Sequence, residues 1–311
     1  MRLGLDAMGG DYAPLEVVKG AINYVNAFEK HTIVLFGDET VVQKTLDELG
    51  YVGNNIVIVH CAEHIAMHEH GARAVASKKE SSINIGMAQH KAGLVDCFIS
   101  AGNTGAMLAA SLFILKAIEG INRPTINSPL PRPNGPDGLM LDVGFNADCK
   151  PETLRQFGLL GSIYAKEIAG IDNPRVALLN IGEEKEKGNI AAQQAYTLLE
   201  EDKSINFVGN IEGRDLFNSK VADVVVCDGF TGNIVLKTAE GLFYEISKSG
   251  AKSEFLSKIN FENYAGIPVL GVDGNAMIGH GISKADTFYK MLQLAASVIN
   301  HNIVGKIKSA L

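Results

Sequence analysis

The hydrophobic positions of the chain fall into short apolar runs that alternate with longer amphipathic segments. The short runs predict β-strands, and apolar residues spaced three or four apart predict helices. The run Val224–Val226 is continuously apolar rather than alternating, which predicts parallel strands covered by helices on both faces. We therefore predict an α/β fold with a mostly parallel sheet in an α/β/α sandwich.

The same pattern gives approximate bounds for the elements. The predicted strands are Arg2–Asp6, Thr32–Phe36, Ile56–Val59, Cys97–Ser100, Leu139–Val143, Val176–Leu179, Asn206–Val208, Val221–Val226 and Val269–Val272. The predicted helices are Pro14–Asn26, a segment ending near Leu49, Ser81–Ala92, Thr104–Ala117, Pro151–Ala169, Asn189–Leu199, Thr231–Ile246 and Ser283–Val304. We predict a single α/β domain over residues 1–311, an extended crossing loop at Pro124–Pro136, and a surface excursion at about 247–268.

Composition narrows the class of protein. The net charge of −7 argues against a broad nucleic-acid surface, which requires a basic face. No apolar stretch reaches the ~18 residues of a spanning helix, and the first residues enter a strand rather than a signal peptide. The four cysteines are far apart, as is typical of buried thiols in a reducing compartment. We predict a cytoplasmic protein that does not bind nucleic acid.

Glycine-rich turns that also carry Asp, Asn or Thr follow several predicted strands. In parallel α/β sheets, ligands bind beyond the carboxyl ends of the strands. Glycine lets backbone N–H groups approach a ligand, and helix amino termini favour anions. An ordinary turn is the alternative for each one alone, but several together favour a shared phosphate site. The predicted substrate-binding residues are Gly9, Gly10, Asp11, Asn103, Thr104, Gly105, Asp142, Asn146, Asp148, Lys150, Asp228 and Gly232.

Several common catalytic motifs are absent from the sequence. It has no GxGxxG after the first strand, no GxxxxGK[ST] and no GxSxG. An enzyme that uses phosphate itself as nucleophile needs no side-chain nucleophile, because the protein then supplies positioning and charge stabilisation. We therefore predict no cofactor.

Lysines and histidines supply further candidates for chemistry. Lys150 and Lys187 each precede a predicted helix, although solvated surface charge is the alternative for both. The segment from His60 to His70 resembles a metal cluster. However, HExxH and paired cysteine ligands are absent, so we predict no metal site.

Taken together, the motifs resemble those of the PlsX-type phosphate acyltransferases of bacterial phospholipid synthesis. The most specific are SAGNTGA at Ser100–Ala106 and DGFTGN at Asp228–Asn233. Further matching pieces follow in order over nearly the whole chain. They are Asp6–Asp11, Lys78–Ser82, Leu141–Pro151, Leu178–Gly182, Gly209–Asp215 and Gly279–Gly281. The chain departs from the common pattern by a shorter stretch between Ile246 and Tyr264, and by Gly71 where many relatives have proline.

The resemblance implies transfer of a fatty acyl group from acyl carrier protein to orthophosphate. The acyl phosphate would then feed a membrane glycerol-3-phosphate acyltransferase. The resemblance also implies a fold similar to isopropylmalate dehydrogenase, a homodimer, and central roles for Lys187 and Asn233. On this basis Lys187 would neutralise negative charge and Asn233 would donate to the developing oxyanion, while peripheral membrane contact is in doubt because of the shorter stretch.

The resemblance implies a partner protein, and other functions are compatible with the same sequence. Acyl carrier protein is acidic, so a basic patch should bind it, and Arg73, Lys78 and Lys79 are its predicted members. A phosphate acetyl- or butyryltransferase that uses CoA thioesters, or a decarboxylating dehydrogenase, would be compatible with the same fold. A non-catalytic scaffold for lipid-synthesis enzymes is the alternative from another class.

Overall fold

The structure is a computed structural model that describes residues 1–259 and 264–311. Contacts within the chain divide it into two compact units. The first unit comprises Met1–Ala117 and Tyr264–Val304, and the second comprises Ile118–Asn263 and Gly305–Leu311. The single domain over residues 1–311 stays a prediction.

The first unit is built on a mostly parallel sheet. Its strands are β1 (Arg2–Asp6), β2 (Thr32–Gly37), β3 (Ile56–His60), β4 (Cys97–Ser100), β10 (Ile267–Leu270) and β11 (Ala276–Ile278), in the order β3-β2-β1-β4-β11-β10. Only the β10–β11 pair is antiparallel among these described pairs. Its helices are α1 (Leu15–Ala27), α2 (Glu39–Glu48), α3 (Gly71–Ser77), α4 (Ser82–Lys91), α5 (Thr104–Ala110) and α10 (Ala285–Asn300).

Continuous apolar runs explain why the central strands of the first unit are buried. Leu3, Leu5, Ile33 and Leu35 have no exposed surface, as expected for parallel strands with both faces covered. Side-chain caps fix where two of the helices begin. The Asp38 carboxylate accepts the Val41 N–H at 3.1 Å at the start of α2, which satisfies a helix-terminal donor. The Ser81 hydroxyl does the same for α4.

The second unit contains its own mostly parallel strands. They are β5 (Thr125–Leu130), β6 (Gly138–Leu141), β7 (Arg175–Leu179), β8 (Asn206–Ile211) and β9 (Val224–Val226), in the order β5-β6-β9-β7-β8. The β5–β6 pair is antiparallel and the other printed pairs are parallel. The helices are α6 (Pro151–Ile168), α7 (Ile190–Glu201), α8 (Gly229–Lys248) and α9 (Glu254–Ile259). The last helix of the chain is α11 (Ile303–Ala310).

Helix α6 lies directly on β6 and β9. A methyl group added at Gly161 would stand 2.5 Å from Val224 Cγ1 and 2.8 Å from Leu141 Cδ1, closer than carbon atoms can approach. Glycine at this position therefore sets the distance between the helix and the sheet. None of the helices in the described parts of the chain combines the length and apolar character needed to cross a bilayer.

The Pro-rich segment was predicted wrongly. Within the expected crossing loop at Pro124–Pro136, the residues Thr125–Leu130 form strand β5, which pairs antiparallel with β6. The β-branched residues Thr125 and Ile126 are buried in this strand, and this burial outweighs the presence of proline.

The predicted helix at Thr104–Ala117 is also shorter and less regular than expected. Helix α5 ends at Ala110 and continues as a π-helical turn, Ser111–Leu115. Lys116 then adopts a φ of 72°, a left-handed conformation that ends the helix. Hydrophobic periodicity does not distinguish an α-helix from a π-helical turn, so the pattern could not reveal this change.

Two further boundaries differ from the prediction for local reasons. The expected helix Ser283–Val304 is divided into α10 and α11, because Asn302 has a φ of 50°, a conformation that asparagine tolerates. Strand β9 begins three residues later than predicted. Asp223, just before it, pairs instead with Arg132 and Arg175.

Some elements were not predicted at all. They are α3, β11, α9 and a short 3₁₀ helix at Gly213–Asp215. In the region of the predicted surface excursion at about 247–268, α8 ends at Lys248 and α9 begins at Glu254. Residues 260–263 of that region lie outside the described residues, and the excursion itself stays a prediction.

Helices α1 and α10 cross at Gly20, and this contact generates a stability prediction. A methyl group at Gly20 would stand 2.5 Å from Phe288 Cβ and 2.8 Å from the Ala285 carbonyl oxygen. We expect Gly20→Ala to lower the free energy of unfolding by about 1–3 kcal/mol, because the helices must move apart. Denaturant unfolding of the two proteins measures the difference.

Gly241→Ala is the matched control, because Gly241 also lies inside a helix and a methyl group there meets no atom within 4 Å. Since alanine favours helix more than glycine does, this control should be neutral or gain about 0.5–1 kcal/mol. Equal effects of the two substitutions would contradict the packing argument.

Candidate active site

In the first unit, the turns after β1, β4 and β11 lie side by side. A methyl group added at Gly9 would stand 2.8 Å from the Gly102 nitrogen, so the first two turns are in contact. The Asp11 N–H donates to the Gly281 carbonyl at 2.8 Å, which joins the turn after β11. Two of the predicted glycine-rich turns therefore meet at one edge of this sheet, together with the turn after β11, a strand that was not predicted.

The buried carboxylate of Asp6 holds these turns together. It accepts a hydrogen bond from the Ser100 hydroxyl at 2.7 Å and another from the Met8 N–H at 3.1 Å. Ser100 Oγ in turn accepts the Gly102 N–H at 2.9 Å. Burial raises the pKa of Asp6, and the hydrogen bonds oppose this rise. Asp6, which the sequence did not single out as a site residue, is thus the organising group of this edge.

Several backbone N–H groups that were predicted to bind an anion have no acceptor in the described part of the chain. No residue in the described ranges accepts a hydrogen bond from the N–H groups of Gly9, Gly10 or Thr104. The Asn103 side chain instead forms hydrogen bonds that stabilise the fold. Its amide donates to the carbonyls of the 66–69 segment, and its Oδ1 caps α5 by accepting the Ala106 N–H at 2.9 Å.

Gly71 lies against the start of α5. A methyl group at Gly71 would overlap the backbone of Gly105 and Ala106. Glycine at this position therefore allows α3 to approach α5 closely. Thr104 and Gly105, also predicted to bind substrate, are exposed at this helix start.

The predicted carrier-protein patch includes one lysine that is already paired. Lys78 Nζ binds Glu69 Oε1 at 2.7 Å and the His64 carbonyl at 2.9 Å. Its hydrogen bond lowers the pKa of Glu69. Arg73 and Lys79 are exposed. Lys78 therefore stabilises the 64–69 segment, and Arg73 and Lys79, which form no ion pair with a described residue, supply the remaining positive charge of the predicted patch.

In the second unit, the turns after β6 and β9 are joined in a similar way. The buried Asp142 carboxylate accepts the N–H groups of Phe145 at 3.1 Å and Asn146 at 2.6 Å, together with the Asn146 side-chain amide at 2.8 Å. The Gly229 N–H donates to the Asn146 carbonyl at 2.7 Å. Burial raises the pKa of Asp142, and these hydrogen bonds oppose the rise. Asp142 and Asn146 thus orient the loop.

Helix α8 begins on this joined pair of turns. The Asp228 carboxylate caps it by accepting the Thr231 N–H at 2.8 Å. A methyl group at Gly232 would overlap the Asp142 carbonyl oxygen, so only glycine allows this approach. Asn233 follows at once and faces Gly144, where a methyl group would stand 3.7 Å from the Asn233 side chain. Asn233 is exposed, and its amide has no hydrogen-bond partner among the described residues.

Lys187 lies on the loop between β7 and α7. Its carbonyl accepts the Asn180 amide at 3.1 Å, and its stem packs over Gly182, where a methyl group would stand 2.9 Å from Lys187 Cγ. The ammonium is exposed and has no ion-pair partner in the described parts of the chain. Asn180, which also accepts the Ile181 N–H at 2.8 Å, fixes this loop and was missed by the sequence analysis.

Two cavities open in the second unit. One, of 390 Å³, lies at the carboxyl ends of β7 and β8 and is lined by Asn180, Ile181, Glu212, Gly213 and Arg214. The other, of 610 Å³, precedes α6 and is lined by Asn122, Arg123, Asp148, Cys149, Lys150, Glu152 and Thr153. The second cavity brings the predicted residues Asp148 and Lys150 together and adds Arg123, which the sequence analysis missed.

Carboxylates near the first cavity are close enough to hold a cation. Ligand atoms of Glu183, Glu212 and Asp215 lie within 4.8 Å of one another, the only such group found in residues 1–259 and 264–311. Arg214 already pairs with Glu183 at 3.4 Å and also with Glu212. The guanidinium thus supplies positive charge to this group.

The cysteine thiols are poor nucleophiles. Burial raises the pKa of Cys61, Cys97 and Cys149 to about 12, and that of Cys227 well above its ordinary value. Because the thiolate is the reactive form, these side chains are inert near neutral pH.

Comparison with known proteins places this geometry in a family. A model for a family described as fatty acid synthesis protein matches residues 1–306. A phosphate acyltransferase of Syntrophomonas wolfei subsp. wolfei is 44% identical over 309 residues, covering 98% of this chain and 96% of that protein. The chain belongs to the PlsX-type phosphate acyltransferase family. A phosphate acyltransferase of Dictyoglomus thermophilum is likewise 44% identical, over 330 residues, covering 100% of this chain and 98% of that protein. Membership in this family identifies the chain as a transferase enzyme.

Solved structures of more distant proteins share the fold. A phosphotransacetylase from Streptococcus pyogenes superposes with a TM-score of 0.70 at 18% identity, covering 96% of this chain and 94% of that one. A 4-hydroxythreonine-4-phosphate dehydrogenase from Klebsiella pneumoniae does so with a TM-score of 0.57 at 12% identity, covering 96% and 99%. The predicted α/β fold class is confirmed.

The anchoring of the Lys187 loop by Asn180 can be tested directly. Asn180→Ala removes two hydrogen bonds, so we expect faster tryptic cleavage after Lys185 and Lys187 at an almost unchanged melting temperature. Mass spectrometry of timed digests measures the cleavage rates. Asn206→Ala, which loses one amide hydrogen bond at the amino end of β8, is the control. Identical digestion of the two variants would rule out the anchoring role.

Proposed function

We propose that the chain transfers a fatty acyl group from an acyl carrier protein thioester to orthophosphate, giving acyl phosphate for phospholipid synthesis. The observation that carries this proposal is the unpartnered Asn233 amide, held at the rigid start of α8 beside the Asp142 turn. An exposed donor on a fixed backbone is the arrangement that stabilises an oxyanion. Membership in the phosphate acyltransferase family supports the same reaction.

In the proposed reaction, a phosphate oxygen attacks the thioester carbon and forms the new C–O bond. The carbonyl oxygen becomes an oxyanion, which accepts a hydrogen bond from the Asn233 amide. Collapse of this intermediate breaks the C–S bond, and the carrier thiolate leaves. Lys187 neutralises negative charge as it develops. In this proposal the transfer goes directly to phosphate without an acyl-cysteine, because the cysteines are buried and burial raises their pKa.

The backbone N–H groups of the first unit are the proposed anion donors. The N–H groups of Gly9, Gly10 and Thr104 have no acceptor among the described residues and lie on turns that Asp6 holds in contact. Preorganised donors of this kind suit phosphate. The exposed cations Arg73 and Lys79 are the proposed contact for the acidic carrier protein. A homodimer, a cytoplasmic location and supply of product to a membrane glycerol-3-phosphate acyltransferase belong to the proposal on family grounds.

A phosphate acetyl- or butyryltransferase that uses CoA thioesters is the second candidate. The fold shared with the Streptococcus pyogenes phosphotransacetylase is compatible with it. Mixing the protein with orthophosphate and either acyl carrier protein thioester or acyl-CoA separates the two candidates. We expect acyl phosphate to form faster from the carrier thioester. A preference for acyl-CoA would favour the second candidate, and no phosphate-dependent thioester loss would exclude both.

Asn233→Ala tests the oxyanion donor. Loss of one such donor typically costs ~10²–10³ in kcat, and we expect this loss with an unchanged melting temperature because the amide contributes no hydrogen bond to the fold. Steady-state production of acyl phosphate measures it. Thr238→Ala, an exposed position on the same helix, should retain wild-type turnover. Near-normal turnover by Asn233→Ala would remove this residue from the mechanism.

Lys187→Ala tests the proposed charge neutralisation. We expect a large loss of kcat together with a higher KM for orthophosphate, because both the anionic substrate and the intermediate lose a cation. Kinetics with varied orthophosphate separate the two effects. Lys185→Ala is matched, since Lys185 lies on the same loop but is already paired with Glu200. If both variants keep wild-type kinetics, Lys187 has no role in the reaction.

A further inference from the structure

The cavity in front of α6 presents two cations from different segments of the chain. Arg123 lies just before β5, and Lys150 lies just before α6. Both line the 610 Å³ cavity. Of these two cations, only Lys150 was predicted to bind substrate, because nothing in the sequence shows that Arg123 shares its cavity.

The backbone around Arg123 is fixed on both sides by side chains. The N–H of Asn122 donates to Gln156 Oε1 at 2.8 Å, and the buried Gln156 also donates to the Gly120 carbonyl at 2.7 Å. On the other side, the Asn146 amide donates to the Pro124 carbonyl at 2.8 Å. Asn146 is itself held by Asp142. Arg123 is therefore carried on a loop tied both to α6 and to the turn after β6.

The Arg123 and Lys150 side chains nevertheless have no partner in residues 1–259 and 264–311. Neither forms a hydrogen bond or an ion pair with any described residue, although Asp148 and Glu152 line the same cavity. The other arginines of the second unit all pair with carboxylates, namely Arg132, Arg155, Arg175 and Arg214. A fixed backbone that carries an unpaired guanidinium beside a second unpaired cation is suited to an anionic ligand.

We infer that the Arg123–Lys150 cavity binds a phosphate oxyanion of a substrate. This inference rests on the proposed function, which supplies two sources of that chemistry. One source is orthophosphate. The other is the phosphodiester of the phosphopantetheine arm that carries the thioester. The planar fork of Arg123 can donate two parallel hydrogen bonds to such an oxyanion, and Lys150 adds a point charge.

The carboxylates in the same cavity favour the arm. Asp148 and Glu152 repel a bare phosphate dianion, but they can accept hydrogen bonds from the hydroxyl and amide N–H groups of pantetheine. A phosphodiester carries a single negative charge and meets less repulsion than orthophosphate does. The cavity would then position the donor arm, and the acyl transfer itself would take place elsewhere on the arm, at its thioester.

Direct binding tests the subsite without requiring turnover. We would titrate the wild-type protein, Arg123→Gln and Lys150→Gln by calorimetry with 4′-phosphopantetheine, with pantetheine lacking the phosphate, and with inorganic phosphate. Loss of a charge-assisted hydrogen bond should weaken binding of the phosphate-bearing ligand by roughly 10-fold or more in each variant. Pantetheine should bind all the proteins equally. Lys220→Gln is the control, because Lys220 is exposed, its side chain is unpaired among the described residues, and it precedes the amino end of β9.

Comparison of the affinities for the two phosphate-bearing ligands identifies the source of the phosphate oxyanion. Weakened phosphopantetheine binding with unchanged inorganic phosphate binding supports the arm, and weakened binding of inorganic phosphate supports orthophosphate. Wild-type affinity of both variants for both ligands, or no binding of either ligand by the wild-type protein, would overturn the inference. If Arg123→Gln has a lower melting temperature, the affinities measured for Lys150→Gln test the inference instead. Phosphate binding that depends on Arg123, in a protein that makes no acyl phosphate, would refute the proposed function and leave the subsite standing.

Discussion

Burial of one carboxylate at the carboxyl end of a strand is the constraint on which the candidate residues of each unit depend. Asp142 organises the turn after β6 and thereby the start of α8, and Asp6 does the same for the turns after β1 and β4. A buried carboxylate is costly unless backbone and side-chain donors surround it. Those donors are the turns themselves. The turns can therefore adopt other conformations only by exposing or abandoning a buried acidic group, and this holds the neighbouring backbone N–H groups and Asn233 in place.

A rigid frame of this kind fits a reaction in which phosphate is the nucleophile. Such a reaction needs no activated serine or cysteine, and the thiols of this chain are buried, which raises their pKa. The proposed chemistry depends instead on accurate placement of hydrogen-bond donors and cations. Two side chains without partners among the described residues are those of Lys187, on a loop fixed by Asn180, and Asn233, in the first turn of α8 beside the turn fixed by Asp142. Stability and function thus use separate atoms of the same turns.

The sequence predicted the parts of the fold that depend on local pattern. Apolar runs gave β1 and β4 with the observed bounds, and the motif glycines identified the turns at the strand ends. The hydrophobic pattern gave wrong predictions where tertiary contacts determine the secondary structure. Burial makes Thr125–Leu130 a strand despite its proline, and Lys116 ends a helix that periodicity would continue. Arg123 and Asn180 were missed for the same reason, since an arginine or asparagine in a loop carries no sign of the cavity or the carbonyl that it meets in space.

Gly71 has a consequence for exchange of segments between relatives. Its close contact with Gly105 and Ala106 leaves no volume for a side chain. A relative with a larger residue at this position would have to place α3 at a different distance from α5. A hybrid protein that inherits the 66–71 segment from one parent and the SAGNTGA turn from another would join surfaces shaped for different spacings. These two stretches should therefore be transplanted together, as a single module of the scaffold.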